Sequence, residues 1–220
     1  MRKFLSILSI LLVSVLSTAC INNLAVQELN NKAKVFMDKG DYENAISRLE
    51  ASVDLDDTIF ETQYNLAVAY TYANNYKEAI ETFGKAINLK PTMAETYYSL
   101  GVAQENFAID VIKGEVNING EKPSDDEVEE QDNANANANA NANEDSTELS
   151  KEDKEAVKEL YNQAIQSYET YLQKAGNAKD RGNVEAKISN IKTEIKKVDD
   201  PNYEDESASN VNENKSFSIE

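Results

Sequence analysis

The chain has 220 residues and carries 40 Asp and Glu against 22 Lys and Arg, a formal charge of −18. That length suits one domain with a sizeable core plus appendages, and so acidic a surface repels phosphate backbones and anionic headgroups, excluding nucleic acid as an expected partner and membrane attachment through a basic patch. With no histidine and one cysteine, the chain lacks the residues of Cys/His zinc sites, of Ser-His-Asp and Cys-His nucleophile pairs, and of the commonest general base; no catalysis, cofactor, metal or small-molecule substrate is expected.

Met1, Arg2 and Lys3 precede an apolar run from Phe4 to about Leu16, too short to span a bilayer and shaped like a secretory signal over residues 1–19. Leu16-Ser17-Thr18-Ala19-Cys20 resembles a bacterial lipobox, with Ser17 where the family more often has Leu. The resemblance implies a lipoprotein: Cys20 is acylated (palmitate among the chains) and becomes the new N-terminus, which takes the charge to −20 by removing Arg2 and Lys3. Two or more acyl chains give durable anchoring, each buried methylene adding about 0.8 kcal/mol, and a lipidated sole cysteine leaves no disulfide. Residues 20–25 form a short tether, which places the domain close to a bacterial cell membrane or outer membrane, facing periplasm or cell exterior. Ile21 stands where some diderm bacteria use Asp for inner-membrane retention.

From Val26 to Met93 the chain repeats. Ala33, Phe36, Tyr42, Ala45, Ile46, Leu49 and Val53 are answered 34 positions later by Ala67, Tyr70, Tyr76, Ala79, Ile80, Phe83 and Ile87. A period of this length marked by small and aromatic residues is a pair of antiparallel helices that buries its apolar face only by stacking on a neighbour. Four helices are expected, with turns at Gly40-Asp41-Tyr42 and Asn74-Asn75-Tyr76 and a stop at Pro91. A fifth begins near Met93 and aligns with the previous repeat through Leu100, Gly101 and Ala103.

Its partner helix is displaced. Residues 109–150, with an acidic run from Ser124 to Asp132 and alternating Asn and Ala from Asn133 to Asn143, are expected to be a disordered insert. Beyond it Tyr161, Ala164, Ile165, Tyr168 and Leu172 repeat Tyr76, Ala79, Ile80, Phe83 and Ile87, so the third repeat is split. Widening a short turn to some fifty residues costs roughly 2 kcal/mol, which packing one amphipathic helix offsets. Val184, Ile188, Ile191, Ile195 and Val198 then form one stripe of a capping helix, with Lys187, Lys192, Glu194, Lys196 and Lys197 expected on its outer face. Residues 151–198 thus hold two helices, and 199–220 an acidic, disordered tail.

The repeat residues resemble the tetratricopeptide repeat, most fully in Leu66, Ala67, Tyr70, Ala79, Phe83, Ala86 and Pro91; the first repeat departs from it at Lys32, Ser52 and Asp57. The resemblance implies an all-α, short TPR-type helical-hairpin solenoid spanning residues 26–108 and resuming after the insert. It also implies a groove lined by the first helix of each repeat, at Gln27, Asn30, Asn31, Lys34 and Asp38, then Glu61, Tyr64, Asn65, Val68 and Tyr72, then Glu95, Tyr98, Ser99 and Val102. The candidate partner-binding residues are Asn30, Asn31, Lys34, Glu61, Tyr64, Asn65, Tyr72, Glu95 and Tyr98. Tyr42 and Tyr76 are expected in the core, whereas Tyr64, Tyr72 and Tyr98 are expected on the groove face without a packing role. Asn65 suits a carboxylate clamp, but Glu95 and Ser99 stand where its cations belong, which disfavours that mode. Asp54, Asp56 and Asp57 suggest a calcium loop only superficially, because Ile59 and Asn65 stand where a Gly and a bidentate Glu are needed. The expected function is a non-catalytic, lipid-anchored scaffold of the cell envelope that grips a protein or peptide partner. The alternative is a surface-displayed structural or antigenic lipoprotein without a specific groove ligand.

Overall fold

The computed structural model describes residues 23–122 and 149–203, in which there are seven helices and no strand. The expected signal segment with Cys20, the acidic and Asn/Ala-rich part of the expected insert, and the residues beyond Tyr203 lie outside the described residues. The helices are α1 (residues 23–37), α2 (Tyr42–Leu55), α3 (Phe60–Tyr72), α4 (Tyr76–Leu89), α5 (Ala94–Ile112), α6 (Lys151–Lys174) and α7 (Arg181–Asp199). The all-α helical-hairpin architecture of the tetratricopeptide type is therefore present. The chain forms two compact units that divide within α5, after Ala103.

In the first unit, α1 ends where Gly40 takes a left-handed φ of 74° and the Asp41 amide reaches back to the Phe36 carbonyl at 3.0 Å. One period later Asn74 does the same with φ 63°, and the Asn75 amide bonds the Tyr70 carbonyl at 2.9 Å. Only Gly, and at some cost Asn, enters that region routinely, so these residues stop the helix and aim the chain back along it. Asp41 then caps α2 by accepting from the Asn44 amide. Two clusters result. Ala33, Ala45, Ile46, Leu49, Leu66 and Ala69 close the first junction, and Ala67, Ala79, Phe83 and Ala103 the second. Alanines at 45 and 79 have no accessible surface, because helices crossing this closely leave room for a methyl group and little more.

The sequence places the end of the fifth helix at residue 108, but α5 runs on to Ile112. The reason is local: position 108 is Ala, and the first residue able to take the left-handed stop is Gly114, at φ 72°, where the Glu115 amide bonds the Asp110 carbonyl at 2.9 Å. The same exit turn therefore occurs six residues late, and Val116 beyond it is buried, so the expected insert is ordered over residues 109–122.

In the second unit α6 pairs with the end of α5: the Ser167 hydroxyl donates to Gln104 at 2.8 Å and the Tyr168 hydroxyl to Glu105 at 2.6 Å. Helix α7 packs Val184, Ile188, Ile191 and Val198 inward with Ile195 half-buried, as its stripe predicts. Lys187 corrects the expected outer face. It is half-buried and donates to both Glu105 oxygens, at 2.7 and 3.0 Å, since a carboxylate partly withdrawn from water favours a charged partner.

Candidate functional site

A cleft of about 420 Å³ opens in the first unit between α1 and α3. Asn23, Val26, Gln27, Asn30 and Asn31 line it from α1, Ile59 from the preceding loop, and Glu61, Thr62 and Asn65 from α3. Four asparagines and a glutamine give it an amide surface able to donate and accept at once, with a single carboxylate and no Lys or Arg. Of the expected site residues the cleft gathers Asn30, Asn31, Glu61 and Asn65.

Asn30 is committed structurally. Its side-chain nitrogen, with two protons to give, lies within hydrogen-bond distance of three acceptors, the Val26 carbonyl at 2.9 Å, the Ser52 hydroxyl at 2.8 Å and the Thr62 hydroxyl at 3.0 Å, and its carbonyl accepts from Thr62. Three helices meet at one side chain, and both hydroxyls it satisfies are inaccessible to solvent. Asn31 and Glu61 are exposed, Asn65 half-buried. Lys34 is exposed and paired with Asp38 at 3.1 Å, one turn along the same helix, an arrangement worth a few tenths of a kcal/mol.

The tyrosines divide otherwise than expected. Tyr64 has a packing role: its ring stacks on Phe60 at 5.9 Å, meets Phe83 edge-on at 6.0 Å, and its hydroxyl hydrogen-bonds Ser99 at 3.0 Å. Tyr72 is 62% exposed and lies parallel to Tyr42, 4.9 Å away. Tyr42 is consequently half-buried, whereas its repeat equivalents Tyr76 and Tyr161 are each 2% exposed. Tyr98 is half-buried and Glu95 exposed on α5. Sequence reasoning missed Asn23, Val26, Ile59 and Thr62 as cleft residues. Ile59 precedes α3 in extended conformation, and no periodicity reaches a loop residue.

The aspartates before α3 form a turn. The Asp56 carboxylate accepts from the Thr58 amide at 2.9 Å and hydroxyl at 2.6 Å, bonds that hold its pKa below the usual aspartate value. Among the described residues no group of three acidic or Cys side chains is placed to hold a metal ion. On the opposite side of α3, burial first and then the hydrogen bond from its hydroxyl to Glu50 at 2.6 Å raise the pKa of Tyr70 well above that of a free tyrosine.

Comparison with known proteins matches a tetratricopeptide repeat model to residues 29–58 and a TPR repeat model to residues 69–106. No curated protein matches the chain. Among solved structures, the second TPR domain of human RPAP3 in complex with an HSP70 peptide shares 17% identity over 78% of this chain and 98% of that one, with a TM-score of 0.49. The Sgt2 TPR domain from Aspergillus fumigatus shares 15% over 82% and 87%, with a TM-score of 0.46, and MamA 20% over 81% of each chain, with a TM-score of 0.39.

Proposed function

We propose that this chain is a non-catalytic interaction scaffold that holds an extended protein or peptide segment in the α1/α3 cleft. A lipid on Cys20 tethers it to a bacterial envelope membrane, facing periplasm or exterior. The observation that carries the reading is the cleft itself. Its amide-rich wall, interrupted by Val26 and Ile59, offers paired donors and acceptors to a peptide backbone with apolar contact between them. Repeats of this type generally serve protein interaction, and the RPAP3 domain above was solved with a peptide. The anchor rests on the lipobox resemblance alone.

Affinity capture from detergent-solubilised envelopes tests the reading, comparing the full chain with an Asn31→Ala/Asn65→Ala variant. Both residues line the cleft, and neither carries the hydrogen bonds to Ser52 and Thr62 that tie Asn30 into the first junction. A protein retained by the parent and lost from the variant supports a cleft scaffold. An identical catch from both shifts the function to display at the surface. Mass spectrometry of the N-terminal peptide tests the anchor: acylated Cys20 is expected, and a free thiol removes the tether from the proposal.

A further inference from the structure

Glu61, Asn65, Val68 and Tyr72 follow one another on α3 at steps of four, three and four residues, so they share one helix face over about 16 Å. The two ends of this stripe are exposed. At one end stands a carboxylate; at the other, an aromatic ring backed by the parallel ring of Tyr42 at 4.9 Å. Glu95, one repeat after Glu61, is also exposed. Neither glutamate makes an ion pair among the described residues; on α1 Lys32 pairs with Glu28 at 2.7 Å and Lys34 with Asp38 at 3.1 Å, and the ammonium of Lys90 stands over the ring of Phe60 at 4.9 Å. The lining of the cleft carries one carboxylate and no Lys or Arg, so the charge it presents is negative.

We infer that the segment held in the cleft is cationic: an extended peptide that places one Lys or Arg on Glu61, with Glu95 one repeat further on, and a second about five residues along, past the cleft, on the face of Tyr72. The inference rests on the proposed reading of the cleft as a protein-binding site and names the chemistry of its partner. The spacing follows from geometry, since an extended chain advances about 3.3–3.6 Å per residue. Tyrosine faces attract ammonium and guanidinium groups, and a ring already stacked is held in place before the partner arrives. Asn65 lies between the ends to bond the peptide backbone, and Val68 to meet an apolar side chain. An acidic segment meets like charge at Glu61 and Glu95 and the field of a chain with net charge −18, which acts against it as a selectivity filter.

Fluorescence anisotropy with the full chain and ten-residue Gly/Ser/Ala peptides tests this. One peptide carries Lys at its third and eighth positions, a second Glu there, a third Ser. The Lys peptide is expected to bind at least tenfold tighter than the Ser peptide at low ionic strength, with an advantage that shrinks as salt is added, and the Glu peptide weaker than either. Glu61→Gln/Glu95→Gln is expected to remove most of that advantage. Glu43→Gln/Glu78→Gln, an equal charge change at exposed positions of α2 and α4, is expected to keep it. Tyr72→Ala, or moving the second Lys to the fifth position, is expected to weaken the Lys peptide severalfold. If the control pair loses as much as the cleft pair, the attraction is a property of the whole acidic surface and the inference fails. If Ser and Lys peptides bind equally and both are lost with Asn31→Ala/Asn65→Ala, the inference fails while the cleft reading stands. If no peptide binds, both fall.

Discussion

The two junctions between successive hairpins of the first unit occupy equivalent positions 34 residues apart, and they are held by opposite chemistry. At the first, Asn30 on α1 satisfies the inaccessible hydroxyls of Ser52 and Thr62. One period later those three positions are Tyr64, Ala86 and Thr96. The tyrosine there packs against Phe60 and Phe83 and sends its hydroxyl out to Ser99, so nothing reaches Thr96. That hydroxyl is fully buried and finds no hydrogen-bond partner among the described residues. One backbone frame thus accepts a polar tie or an aromatic plug, and the second junction keeps a buried hydroxyl that the plug does not satisfy. One departure of the first repeat from the usual pattern belongs to the same contrast. Ser52 stands where an alanine is usual because Asn30 is opposite it.

Breaking the first junction gives the largest expected effect. Asn30→Ala leaves the Ser52 and Thr62 hydroxyls buried and unpaired at about 1–3 kcal/mol each, so a loss on the order of 2–4 kcal/mol is expected in urea unfolding, read as a lower midpoint at unchanged slope. A loss under about 1 kcal/mol would show that both hydroxyls find other acceptors. The contrast sharpens with one substitution made twice. Thr62→Val removes a used hydroxyl and is expected to cost about 1–2 kcal/mol, whereas Thr96→Val removes an unused one and is expected to be neutral or stabilising by up to about 1 kcal/mol. Equal losses at both sites would contradict the difference between the junctions.

The smallest effect is in alkali. Tyr70, which packs at both clusters, and Tyr161 in the second unit have raised pKa values, the latter pushed up to about 12 by burial and then by Glu194 and Glu105. Folding favours the neutral phenol, so this contribution is fully present below the unfolded tyrosine value of about 10 and is lost as pH rises from there toward the folded values. Melting temperature is expected to be level from pH 8 to 10 and to fall above it, less steeply in Tyr70→Phe; the position one repeat earlier is already Phe36.

Much of this molecule was legible in the order of its residues. The 34-residue period, the small residues at 45 and 79 and their echo at 164, the exit turns at Gly40 and Asn74, and the four-three-four stripe of α7 each follow from local chemistry or from the 3.6-residue turn, which acts on every helix alike. The face of α1 and α3 that carries the cleft was implied only by the resemblance to the tetratricopeptide repeat, which supplied the groove positions. Which residues on that face stay open was decided by the tertiary structure. Asn30 and Tyr64 were expected as ligand contacts and are bound up in packing, because the groups that engage them come from two other helices at separations up to 35 residues. Lys187 turned inward for the same reason, drawn to Glu105 across 82 residues of chain. Periodicity assigns a residue its direction; only the assembled neighbours decide whether anything is already there to meet it.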